Sequence, residues 1–161
     1  HSLMRGLSST LFAPNQSMTR GMMVTTLYRL AGEPQVEGTA TFQDVKSSAY
    51  YANAVAWAEA NGIAKGIDTG VFAPNAPVTR EQAAAFAYRY VTAYLGKTPV
   101  PGASLGGFQD AGLVSDYAAE SLSWAHAAGL MVGYGDGFLG PKDTVTRAQM
   151  AKLLTLLAQN F

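Results

Sequence analysis

One pattern returns three times along the chain and constrains its fold more than any other feature. Leu11-Phe12-Ala13-Pro14-Asn15-Gln16-Ser17-Met18-Thr19-Arg20 aligns with Val71-Phe72-Ala73-Pro74-Asn75-Ala76-Pro77-Val78-Thr79-Arg80. Both align with Phe138-Leu139-Gly140-Pro141-Lys142-Asp143-Thr144-Val145-Thr146-Arg147. A second block precedes the later two copies. Phe42-Gln43-Asp44 runs on to Tyr50, Val55, Trp57 and Gly62-Ile63-Ala64-Lys65-Gly66. Phe108-Gln109-Asp110 runs on to Tyr117, Leu122, Trp124 and Gly129-Leu130-Met131-Val132-Gly133. Before the first copy only Leu3-Met4-Arg5-Gly6 remains of that block. Such periods mean supersecondary units that bury their apolar faces against one another. The expected organisation is a single module over 1–161, with a partial repeat at 1–31 and full repeats at 42–95 and 108–161.

Each full repeat reads as helix, loop, helix. Tyr51, Val55 and Ala58 keep helical spacing with Ala54 and Trp57 beside them; Leu122, Ala125 and Gly129 do so in the third repeat. Gly62 and Gly129 stand where a left-handed residue closes a helix. Asp68-Thr69-Gly70, or Asp136-Gly137, and then a proline mark the loop. The second helix opens at Thr19, Thr79 or Thr146, read as N-caps. Thr79 with Gln82 and Thr146 with Gln149 fit a reciprocal capping box, whereas Met22 weakens the cap at Thr19. The segments 32–41 and 96–107 read as linkers. The expected class is all-α, with about 60% helix against a much lower average for globular chains.

Composition narrows the function. Apolar residues are 48% and charged residues 14%, so the chain can build a core. Lys plus Arg and Asp plus Glu are both 11, which disfavours a nucleic-acid binder or a polybasic membrane anchor. No apolar run nears the roughly 20 residues of a spanning helix, so no membrane insertion is expected. The absence of cysteine removes disulfides and thiolate metal sites. With His1 in place of an initiator methionine, the chain reads as a piece of a larger protein whose targeting signal lies elsewhere.

Phe-x-Asp, a helix ending in Gly-Ile/Leu-x-x-Gly, the x-Pro loop and Val-Thr-Arg-x-Gln, in that order, resemble the S-layer homology repeat. The family pattern ends in Thr-Arg-Ala-Glu, where this chain has Gln82, Gln149 and Met22, and it carries tryptophan where Tyr50 and Tyr117 stand. The resemblance implies a pseudo-threefold spindle: a central three-helix bundle, one helix from each repeat, flanked by helical prongs with grooves between them. It implies non-covalent anchoring of a bacterial surface protein, outside the cell, to a secondary cell-wall polysaccharide that often carries a pyruvate ketal. Some relatives hold modified peptidoglycan, and a protein–protein scaffold is the other non-enzymatic reading. No cofactor is implied.

Arg20, Arg80 and Arg147 sit at the first helical position, where a cation opposes the helix dipole. Beside unpaired helix-terminal amides they would suit a carboxylate ligand; structural salt bridges to Asp44 or Asp110 are the alternative. On the ligand reading, Arg80→Ala and Arg147→Ala weaken binding and leave the melting temperature nearly unchanged. Gly66 and Gly133 could admit a sugar to bare backbone or simply turn the chain. Tyr50 and Tyr117 could flank a groove. Asp44 and Asp110 could face the ligand or brace turns. Trp57 and Trp124 fit the core. No catalytic constellation is present: His1 and His126 lack counterparts in the other repeats, and 133–137 has neither dinucleotide-loop spacing nor a calcium-ligand series. The missing front of the first repeat predicts one dominant groove, lined by repeats two and three with Gly66, Gly133, Arg80 and Arg147. It also predicts a bare apolar side that favours self-association.

Overall fold

The computed structural model describes residue 4 and residues 11–161. Among the described residues five α-helices carry the fold: α1 Arg20–Leu30, α2 Ala52–Ala60, α3 Arg80–Arg89, α4 Ala119–Ala127 and α5 Arg147–Asn160. A π-helical turn, Tyr90–Tyr94, prolongs α3, and 3-10 turns at Ala111–Leu113 and Asp116–Ala118 lead into α4. Only isolated bridge pairs, and no strands, occur among the described residues. The all-helical class stands. The expected helix content does not: well under half of the described residues are helical. The rest is ordered loop, held by hydrogen bonds between repeats rather than along a helix.

Local chemistry fixes the helix starts. The hydroxyls of Thr79 and Thr146 accept from the amides of Gln82 and Gln149, whose side chains return a bond to the cap amides. Thr19 accepts from the Met22 amide alone, since methionine has nothing to return. Gly62 and Gly129, both at φ +70°, follow the ends of α2 and α4.

Helix α1 packs against both α3 and α5, while α2 lies on α1 and α4 on α3. The faces that meet carry Met23, Val24 and Leu27, then Ala83, Phe86 and Ala87, then Met150, Leu153, Leu154 and Leu157, all buried. Trp57 and Trp124, each 3% exposed, pack from the flanking helices into this core.

The pseudo-threefold relation is written in the backbone. Met18 donates its amide to Val145, Val145 to Val78, and Val78 to Met18, at 2.8 to 2.9 Å, which closes a ring through all three repeats. Outside it, each helix start leans on the next loop. The amides of Arg20 and Gly21 donate to Ala76 and Pro74; those of Arg80 and Glu81 to Asp143 and Pro141; those of Arg147 and Ala148 to Gln16 and Pro14. Every repeat thus completes its neighbour. Leu3, Arg5 and Gly6, on which the expectation for the missing front of the first repeat rests, lie outside the described residues. Among the described residues no helix is long and apolar enough to cross a membrane.

Candidate functional site

The three motif arginines are structural at their guanidinium roots. Each is 4% exposed. Arg20 Nε donates to the Phe72 carbonyl at 2.8 Å, Arg80 Nε to Leu139 at 2.9 Å and Arg147 Nε to Phe12 at 2.7 Å. Each guanidinium also lies over an aromatic face: Arg20 over Phe72 at 4.7 Å, Arg80 over Tyr134 and Arg147 over Phe12 at 4.8 Å. Burial is the main cause that pushes Arg20 and Arg80 below the ordinary arginine range.

One expectation is corrected here. The first two amides of each bundle helix are not available to a ligand, because carbonyls of the neighbouring loop already occupy them. Arg80 and Arg147 also each span two repeats through a hydrogen bond, buried for Arg80 and part-buried for Arg147, so their alanine variants are expected to lose stability.

Asp44 and Asp110 do not pair directly with the arginines. Asp44 accepts the amides of Phe72 and Ala73 at 2.9 and 2.7 Å; Asp110 accepts those of Leu139 and Gly140 at 2.9 and 2.8 Å. Aspartate and arginine therefore grip the same loop residue from opposite ends, Phe72 in one case and Leu139 in the other. The backbone bond from Leu139 chiefly holds the Asp110 carboxyl below its ordinary range. Gly66 and Gly133 each have a steric reason to lack a side chain. A Cβ on Gly66 would stand 2.6 Å from the Asp68 carbonyl oxygen, and one on Gly133 2.6 Å from the Phe108 ring.

Above the buried guanidinium of Arg20 a cavity of about 400 Å³ opens, lined by Lys65, Gly66, Ile67, Gln82, Arg89 and Tyr117. It draws on all three repeats. Arg80 faces a smaller space of about 150 Å³ with Val132, Tyr134, Gln149 and Lys152. The cavities among the described residues do not group Gly66, Gly133, Arg80 and Arg147 in one groove, as expected for the dominant site. Gly66 joins Arg20 and Tyr117, Arg80 joins the residues flanking Gly133, and Arg147 turns to Phe12. The reason is the cyclic hand-over of loops: each motif arginine serves the turn of the following repeat. Tyr50, exposed and packed edge-on against Tyr51, lies outside the Arg20 cavity.

Sequence reading overlooked three residues here. Arg89 ends α3 on the cavity wall and makes only a long 3.4 Å bond to the Ile63 carbonyl. Burial pushes it below its ordinary range. Its counterpart Arg29 is met by Glu33 at 3.6 Å. Lys65 adds a third cation, and no acidic residue lines the cavity. Glu81, 3% exposed, sits behind Tyr117 and accepts from the Ser115 amide and hydroxyl at 3.0 and 2.8 Å and from Lys142 Nζ at 2.6 Å. Burial alone would raise its carboxyl, but Lys142 and Ser115 outweigh that and hold it low. The same Glu81 oxygen lies 3.4 Å from the Tyr117 hydroxyl, so it helps seat that ring at the cavity mouth.

The model for the S-layer homology domain matches residues 41–84 and 107–151. The chain belongs to the S-layer homology domain family. Domains of this family are binding modules that anchor surface proteins to the cell wall. The chain is similar to a surface-layer 125 kDa protein of Lysinibacillus sphaericus, 31% identical over 98% of this chain and 13% of that protein. It is similar to an endoglucanase of Bacillus sp. (strain KSM-635), 35% identical over 94% of this chain and 16% of that enzyme. It also resembles an amylopullulanase of Thermoanaerobacterium thermosulfurigenes, 32% identical over 94% of this chain and 8% of that enzyme. The S-layer homology module thus spans less than a fifth of each of these relatives.

Proposed function

We propose that this module tethers a larger bacterial surface protein to the wall by binding a carboxylate-bearing secondary wall polysaccharide, with a pyruvylated glycan as the best fit. The cavity over Arg20 supports this reading most directly: two guanidinia and one ammonium border it, and no carboxylate does. A partly buried cluster of like charge is costly until an anion enters. Planar guanidinium donors suit a carboxylate. Tyr117, 54% exposed at the mouth, offers a ring face to a sugar. In this reading Arg20 and Arg89 hold the anion, Gly66 lets the glycan approach the turn, and Tyr117 packs on it. Arg80, Arg147, Gly133 and Tyr50 belong to the corresponding positions of the other grooves. Asp44 and Asp110 act from behind, by holding the loops.

Co-sedimentation with wall sacculi from a Gram-positive bacterium tests it, before and after extraction of the secondary polysaccharide. Binding should be lost on extraction and weakened by Arg89→Ala. Undiminished binding to the stripped sacculus would favour the peptidoglycan reading instead.

A further inference from the structure

The two cavities built on the same plan differ in a way that repetition does not explain. In the first, the residue after the turn glycine is Ile67, and Ala73 and Ala76 stand in the loop. The matching positions of the second are Tyr134, Gly140 and Asp143. These three form one device. The Tyr134 ring lies against the Arg80 guanidinium, 4.8 Å from its centroid, and its hydroxyl donates to Asp143 Oδ2 at 2.8 Å. Gly140 makes room for it: a Cβ there would stand 2.6 Å from the Tyr134 ring, 2.7 Å from its hydroxyl and 2.6 Å from Asp143 Oδ2. The first and second repeats keep alanine at this position, with positive φ at Ala13 and Ala73. Glycine is therefore not demanded by the backbone alone.

The charges diverge in the same sense. Burial works against the charge of both arginines, and around Arg20 the groups Tyr117 and Asp44 favour it while Arg89 opposes it. Arg80 instead feels Tyr134, Asp143 and Asp110, all of which favour its charge. No acidic residue lines either cavity; what sets the second apart is the exposed Tyr134 ring over its arginine, tethered by Asp143, where Arg20 lies against the buried Phe72 and Phe86.

We infer that Tyr134, seated over Gly140 and tethered by Asp143, plugs the second groove from within, so that of the two cavities described over Arg20 and Arg80 only the first is open to an anion. The inference rests on the anionic-ligand reading for its consequence but not for its geometry, and the two are tested apart.

Sodium pyruvate is the probe, titrated into the ¹⁵N-labelled chain while the Nε–H signals of Arg20 and Arg80 are followed. In the unaltered chain the Arg20 signal should move and the Arg80 signal should stay still. In Tyr134→Ala and in Gly140→Ala, which restores the alanine of the other repeats and displaces the ring, both signals should move. An Arg80 response in the unaltered chain overturns the plug. So does an Arg80 that stays silent in both variants while Arg20 responds. Crystal structures of the two variants without added anion provide the ligand-free arm. The space beside Arg80 should grow from about 150 Å³ towards the roughly 400 Å³ of its counterpart. Refilling of that space by Lys152 or Gln149 also overturns the inference. If the groove opens but pyruvate moves neither arginine in any of the proteins, the anionic-ligand reading falls and the plug stands.

Discussion

An arginine that gives its Nε–H to a buried carbonyl and one that faces an open cavity are the same residue type with opposite mutational signatures. Arg80→Ala leaves the Leu139 carbonyl without its partner and opens a gap under Tyr134. It should cost about 1–3 kcal/mol, the penalty for orphaning a buried polar group. Urea unfolding at neutral pH reads this directly, and Arg80→Lys should recover little, because an ammonium lacks the planar fork. Arg89→Ala should behave the other way round. Its one bond to Ile63 is long, so the unfolding midpoint should barely shift. Affinity for wall polysaccharide should fall by roughly 10- to 150-fold, as expected when a charge-assisted hydrogen bond of about 1.5–3 kcal/mol is lost. A stable, fully binding Arg89→Ala protein would remove Arg89 from the site.

At the scale of the element, the bundle helices depend on caps that serve two masters. Thr146 fixes the first turn of α5, and the amides that follow it hold the loop of the first repeat at Gln16 and Pro14. Thr146→Ala should therefore cost about 1 kcal/mol through the lost cap, seen as a lower melting temperature in circular dichroism. The equivalent change at Thr19 should cost less, because Met22 completes no box there. These caps were legible in the sequence because their chemistry spans three residues. So were the closing glycines and the buried tryptophans, each set by the spacing within one helix. Two things were not legible. Helix content was overestimated because the loops owe their order to bonds with another repeat, which no local pattern records. The grouping of the groove was misassigned because the loops are handed round the ring, so that Arg20 of the first repeat meets Gly66 of the second and Tyr117 of the third. Arg89 escaped notice for the same reason. It marks a site only once its neighbours are known to be cations.

For the molecule as a whole, the ring of Met18, Val78 and Val145 and the shared loops leave no repeat that can keep its structure while another loses its own. Unfolding should be a single transition, with helix signal and tryptophan fluorescence changing together. Acid should act through the contacts between repeats. Glu81 belongs to α3, and its partners Ser115 and Lys142 belong to the third repeat. Its carboxyl is held below its ordinary value, Lys142 and Ser115 prevailing over the opposing effect of burial. The unfolded chain therefore takes up a proton at a pH where the folded chain does not. The stabilisation from Glu81 is complete above the unfolded-state value and is lost as pH falls through the lower, folded one. Asp110, held low mainly by the Leu139 amide, adds loss in the same direction. Glu81→Gln removes one of the two titrations. The variant should be less stable than the unaltered chain at neutral pH and should lose less of what remains between pH 5 and pH 3. Denaturant unfolding across that range checks it. Parallel stability–pH curves for the two proteins would show that the Glu81–Lys142 contact carries none of the acid sensitivity.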